Sequence, residues 1–167
     1  MTILDTIIAH KRKEVAERKI RRPFSDLEKA PAFQSPVFSL RSSLTRGDNT
    51  GIIAEFKRRS PSKGLINADA DVLAVTTTYT EHGAAALSVL TDEHFFGGTT
   101  ADLETARQNK IPILRKDFII DEYQVLEAKA MGADVILLIA ACLGTGQVRS
   151  LAQRASGLGL EVLLEIH

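Results

Sequence analysis

Charged residues interrupt several apolar runs in this chain. Glu55 and Lys57 close the run IIAEFK, Lys116 and Asp117 split ILRKDFIID at residues 113–121, and Glu165 breaks VLLEI. An unpaired charge inside a buried strand is costly, because it gives up its water without compensation. A surface loop would not need apolar residues on both sides of the charges. ILRKDFIID therefore reads as a strand that ends where charge has a use. On that reading Ile113 and Leu114 are buried strand, Lys116 sits at a mouth, and Phe118 and Ile119 lead into the following loop. Ammonium and carboxylate groups gathered at one place could donate and accept protons, and could hold one another in opposite proton states.

Positioning such groups needs a scaffold, and the chain supplies a repeating one from Gly51 onward. The apolar runs at 52–56, 86–90, 113–115, 135–139 and 162–166 predict strands. Between them 71–82, 101–109, 122–131 and 146–155 predict helices. Three of these helices run into Gly83, Gly132 and Gly159, where glycine suits the positive φ that often follows a helix end. The strands are nearly unbroken apolar runs, as expected of parallel strands covered on both faces. Strand–helix alternation with right-handed crossovers predicts an α/β fold. The strand ends turn polar at Glu55 and Lys57, Thr91 and Asp92, Lys116 and Asp117, and Glu165. Spacing by two puts Glu55 and Lys57 on one strand face. In parallel α/β proteins these ends share one side of the sheet, and active sites sit there.

Residues 1–50 differ from the rest and read as a helical N-terminal extension. Thr2 with Asp5 resembles a capping box, and Ile3, Leu4, Ile7, Ile8 and Val15 share a helical face. Ser25 with Glu28 predicts a second helix start, Pro31 and Pro36 interrupt a loop, and Phe38, Leu40 and Leu44 suggest one more short helix.

Composition excludes several roles. The chain has 167 residues, 44% apolar and 25% charged, the profile of a soluble globular domain with a real core. Lys plus Arg and Asp plus Glu both number 21, which argues against nucleic acid or an anionic membrane as partner. One cysteine, Cys142, allows no internal disulfide and fits a reducing compartment. The charged N-terminus does not read as a secretory signal, and no apolar run approaches the ~20 residues that span a bilayer. The expected location is cytoplasmic.

The segments IIAEFKRRSPSKG, LSVLTDEHFFGG, ILRKDFIID, GADVILLIAACL and EVLLEIH resemble the first five strand segments of indole-3-glycerol phosphate synthase, in that family's order and at about its spacing. The combination E-x-K-x-x-S-P-S with L-x-K-D-F is far more specific than a single glycine motif, and the helical first fifty residues match the family's extension. The resemblance implies a (β/α)8 TIM barrel, with residues 1–50 as extension and 51–167 as its first five βα units. It implies a carboxy-lyase of tryptophan biosynthesis. Such an enzyme closes the indole ring of 1-(2-carboxyphenylamino)-1-deoxyribulose 5-phosphate, with loss of CO2 and water and without metal or organic cofactor. Carried over by motif, Lys116 is the general acid of ring closure. Lys57 is the second catalytic lysine, contacting the substrate carboxylate and serving as acid in dehydration. Glu165 is the general base of that later step, and Glu55 orients the lysines. Phe96, Phe118 and Leu137 match apolar positions around the anthranilate ring, and Ser60 lies near substrate in the S-P-S loop.

The sequence departs from the family pattern in one respect. It stops at His167, just after the fifth predicted strand, whereas a (β/α)8 barrel typically needs ~250 residues. The family's later polar residues and its phosphate-binding loops are not in it. Two expectations follow: little activity for these 167 residues alone, and self-association through the open first and fifth strands. An inactive barrel fragment serving as a ligand-binding or assembly module is the alternative. An open doubly wound sheet is another way to draw five parallel strands. The neighbouring isomerase of the pathway would require a cysteine at the first strand end, where Glu55 and Lys57 stand.

Other features read blandly. Cys142 is expected as small buried filler, His82 as a helix-end cation, and His94 as a solvent-exposed loop residue. No His, Cys or carboxylate set has zinc spacing. GTGQVR lacks the third glycine of a dinucleotide fingerprint. Gly97 and Gly98 suggest a mobile loop near substrate.

Overall fold

The computed structural model describes residues 2–166. Five strands form one parallel sheet: β1 (Ile53–Phe56), β2 (Ala86–Leu90), β3 (Ile113–Lys116), β4 (Val135–Ile139) and β5 (Glu161–Glu165). Their spatial order follows their chain order. A doubly wound sheet reverses its strand order at a switch point, and no reversal occurs here. Same-handed crossovers between successive neighbours put the helices that connect the strands on one face. The result is an arc of a (β/α)8 barrel.

The long helices are α1 (Ile3–Arg21), α2 (Val72–Glu81), α3 (Thr100–Ala106), α4 (Glu122–Ala130) and α5 (Thr145–Gly157). Thr2 and Asp5 form the expected capping box on α1. Asp71, Thr99 and Asp121 accept backbone N–H groups at the starts of α2, α3 and α4. Gly83, Gly132 and Gly159 have φ of +84°, +90° and +75°, so each helix end turns into its strand through a conformation that a side chain would strain. Ser25 does not start a helix. The short helix Phe24–Leu27 has Pro23 at its cap position and no side-chain cap, because proline's fixed φ already suits a helix entry. β5 begins at Glu161 rather than Val162, and β3 runs on to Lys116.

Alternation sorts the strand residues onto two faces. Leu87, Val89, Ile113, Ile136 and Leu138 meet Leu103, Val125 and Leu151 from the helices. Ala86, Leu114, Val135, Leu137 and Ile139 pack on the inner face, with Leu40 beneath them. The segment before β1 touches the sheet at both the N-terminal and the C-terminal ends of its strands. Ser43, from the short helix Leu40–Leu44, donates to the Ala85 carbonyl at 2.6 Å where β2 begins. Lys11 of α1 reaches Asp92 and Asp117, just past the ends of β2 and β3.

Candidate active site

The inner face carries the charged residues at its C-terminal rim. Ile53 packs into the inner apolar cluster, so Glu55 and Lys57 project on the same side by alternation. Leu114 does the same for Lys116. Glu55 is the hub. Its Oε1 accepts from Lys57 Nζ at 2.9 Å, and its Oε2 accepts from Lys116 Nζ at 3.2 Å. Ser88, its register partner on β2, places Oγ 3.5 Å from Oε2. Burial works to raise the pKa of Glu55. The Lys57 hydrogen bond and the Lys116 charge outweigh burial and hold it below the ordinary glutamate range. Two lysines around one ionised carboxylate leave a net positive patch, which suits an anionic ligand.

Glu165 shares this face, since Leu163 two residues before it packs into the inner cluster. It lies opposite Ile139 in the β4–β5 register and makes no hydrogen bond or ion pair with the described residues. Three of the four charged candidates thus touch, and the fourth stands at the far strand of the arc. Phe96 and Phe118 pair across two loops, with ring centroids 6.0 Å apart and planes tilted by 40°. Leu137 is buried in the inner cluster. Ser60 is buried too, but its Oγ is engaged within its own turn. It accepts from Lys63 N at 3.2 Å in the ribbon that pairs Arg59–Ser60 with Gly64–Leu65. Arg58 fixes the root of that loop by forking onto Asp102 at 2.6 and 3.0 Å.

Gly97 and Gly98 have a packing reason. Gly97 takes φ +65° to end the short helix Glu93–Phe96, and a Cβ on Gly98 would lie 2.1 Å from the Leu90 carbonyl oxygen. His94 is exposed as expected, yet its ring stacks on His10 at 4.3 Å. His82 caps α2, its Nδ1 2.8 Å from the Thr78 carbonyl oxygen. Cys142 is half-buried beside both apolar clusters, and burial pushes its thiol pKa up. No group of three or more His, Cys, Asp or Glu suited to a metal ion occurs among the described residues.

The family model for indole-3-glycerol phosphate synthase matches residues 4–167. The chain belongs to the indole-3-glycerol phosphate synthase family. A relative of that name from Bacteroides thetaiotaomicron is 51% identical over 99% of this chain and 64% of its own length. One from Acidithiobacillus ferrooxidans is 46% identical over the same shares. Indole-3-glycerol phosphate synthase 2 from Ralstonia nicotianae is 49% identical over all of this chain. The chain spans about 64% of the length of these curated relatives.

Behind the mouth lies a second charged cluster, which sequence reading missed. Arg115 and Asp117 face away from the mouth and are fully buried. Arg115 bonds Asp117 at 3.0 Å, Glu127 at 2.6 Å and the Gln124 carbonyl at 2.8 Å. Lys11, also fully buried, lies 2.8 Å from Glu14, 2.8 Å from Asp92 and 3.0 Å from Asp117. Burial works strongly against the charge on Asp117, but Arg115 and Lys11 prevail and drive its pKa far below the carboxylate range. A signal existed. Lys11 is four residues from both Ile7 and Val15, inside the apolar stripe of α1, and a lysine there needs carboxylates to meet it.

Proposed function

We propose that this chain supplies the N-terminal extension and first five βα units of an indole-3-glycerol phosphate synthase. The reaction is closure of the indole ring of 1-(2-carboxyphenylamino)-1-deoxyribulose 5-phosphate. The observation that carries this reading is Glu55 holding the ammonium groups of Lys57 and Lys116 at 2.9 and 3.2 Å on the inner rim.

In the proposed reaction the ring carbon bearing the carboxylate attacks the sugar ketone, and a carbon–carbon bond forms. Lys116 gives its proton to the ketone oxygen, which becomes a hydroxyl. The carboxylate leaves as CO2, and its bonding electrons restore the aromatic ring. Lys57 holds that carboxylate until it departs and then protonates the hydroxyl, which leaves as water. Glu165 removes the ring proton lost with it. Glu55 keeps both ammonium groups aimed inward. Phe96, Phe118 and Leu137 receive the anthranilate ring, and Ser60 borders the sugar. The positive balance of the Glu55 cluster supports binding of an anionic substrate.

We place the protein in the cytoplasm, as an enzyme of amino-acid biosynthesis with no nucleic-acid or membrane partner. No described helix is long and apolar enough to cross a membrane. The test is an indole-fluorescence assay of the full gene product that carries this chain. Turnover of the substrate, with a drop of roughly 10²–10⁴-fold for Lys116→Met, is the expected result. No indole formation, or an unchanged rate in the variant, overturns the reading. Residues 1–167 alone should turn over far more slowly than a chain extended through the remaining third of its relatives' length; equal rates overturn that expectation.

A further inference from the structure

Lys11 belongs to α1, outside the sheet, yet its ammonium touches the two carboxylates that shape the loops after β2 and β3. Asp92 accepts the Phe95 N–H at 2.8 Å through Oδ1, and so begins the short helix that presents Phe96. Its Oδ2 faces Lys11 at 2.8 Å. Asp117 accepts the Phe118 N–H at 2.8 Å through Oδ1, the same oxygen that lies 3.0 Å from Lys11. Its Oδ2 accepts from Thr91, the residue before Asp92, at 2.7 Å. One buried cation therefore bridges the backbone anchor of Phe96 and the backbone anchor of Phe118. Those two rings form the aromatic pair at the mouth.

A cation used only to dock α1 would be a poor choice. The stripe around it is Ile7, Ile8 and Val15, and an apolar residue would dock without desolvating four charged groups. We propose that Lys11 is a positioning residue that sets the spacing of the Phe96–Phe118 pair and, through it, the affinity for the aromatic ring of the substrate. The second half of this statement rests on the proposed function; the first half does not. Lys11 is one side-chain shell behind the rings and holds the two loops at a fixed separation. A change in the spacing of such a wall loosens its packing against the ring, and close-packed apolar contacts are sensitive to small misfits.

The test uses the full gene product labelled with 4-fluorophenylalanine. Residues 1–167 hold seven phenylalanines, and each is assigned by single replacement with leucine. Lys11→Met removes the charge at similar length. The double variant Lys11→Met with Asp92→Asn restores the charge balance and keeps the cap acceptor, so one folded variant remains if the single one does not fold. Lys19→Met is the control. It removes a half-exposed ion pair of α1 with Asp121, at 2.7 Å, without touching either ring anchor. In the folded Lys11 variants the fluorine signals of Phe96 and Phe118 should move, together with that of Phe95 in the same short helix, while those of Phe24, Phe33, Phe38 and Phe56 hold. KM should rise roughly tenfold with kcat within about twofold, and Lys19→Met should leave both where they were. Unmoved Phe96 and Phe118 signals, an unchanged KM, or an equal KM rise in Lys19→Met each overturn the proposal. If the unaltered protein shows no turnover, the proposed function falls, and the fluorine signals alone decide the role of Lys11.

Discussion

Gly98 and Gly97 stand side by side but should respond differently to one added methyl group. A Cβ on Gly98 would meet the Leu90 carbonyl oxygen at 2.1 Å, backbone against backbone, with no flexible side chain to yield. Gly98→Ala should cost about 1–3 kcal/mol in urea unfolding and displace Phe96 with its loop. Gly97→Ala meets the flexible Arg59 side chain at 3.0 Å, which has room to give way, so its cost is chiefly the positive φ, about 1–2 kcal/mol. At Glu55 the expected outcome concerns chemistry. Glu55→Gln keeps the shape but leaves the two ammonium groups without their shared anion, and should lower kcat by roughly 10–100-fold while the fold survives. Glu55, Lys57 and Lys116 were legible in the sequence because a two-residue period fixes a strand face once the strand is found. Arg115 and Asp117 were not. RKD looks like one charged run, and only strand alternation divides it into one residue for the mouth and two for the helix layer. The partners of those two come from residue 11 and residues 124–127, a separation that no local pattern encodes.

Helix α1 and β3 are joined by buried charge rather than by apolar packing alone. Arg115 is fully buried between Asp117 and Glu127, so Arg115→Met leaves two carboxylates short of a partner. The expected loss is about 3–5 kcal/mol in urea unfolding, well beyond the cost of the lost side-chain contacts. The same cluster sets an acid limit. The folded-state pKa of Asp117 lies below its unfolded value, near 3.8. Its contribution is therefore complete above that value. It is lost as pH falls toward the folded pKa, because the unfolded chain takes up the proton first. A pH series of melting temperatures should fall steeply below about pH 4, and Asp117→Asn should flatten that fall while lowering stability at pH 7. Element boundaries were readable where glycine or an Asp cap marks them, as at Asp71 and Gly83 or Asp121 and Gly132. They were not readable at Ser25. There the S-x-x-E pattern lies inside a helix that Pro23 had already begun, and the fixed φ of proline made the serine unnecessary.

As a whole, the molecule is an arc whose two terminal strands each pair with one neighbour among the described residues: β1 with β2, and β5 with β4. The monotonic strand order was implicit in the strand–helix repeat. The curvature was not, because it depends on how each sheet pair twists and staggers. Exposed apolar residues mark the outer strands: Leu164 within β5, Ile166 just after it and Ile52 just before β1, at 46%, 81% and 58% accessible. Unpaired backbone groups beside exposed isoleucine and leucine make a template for another strand. A polypeptide of residues 1–167 made by itself should thus form dimers or larger species that grow with concentration in light scattering. Leu164→Lys, which puts a charge on the β5 edge without touching the inner face, should shift the distribution toward monomer. The same substitution should leave the Glu55 cluster intact, since among the described residues β5 pairs only with β4 and lies two strands beyond β3, which carries Lys116. A strictly monomeric wild-type polypeptide at high concentration would mean that the arc closes its own edges, with β1 and β5 drawn together. That closure would bring Glu165 toward Glu55 and the two lysines without any further strands.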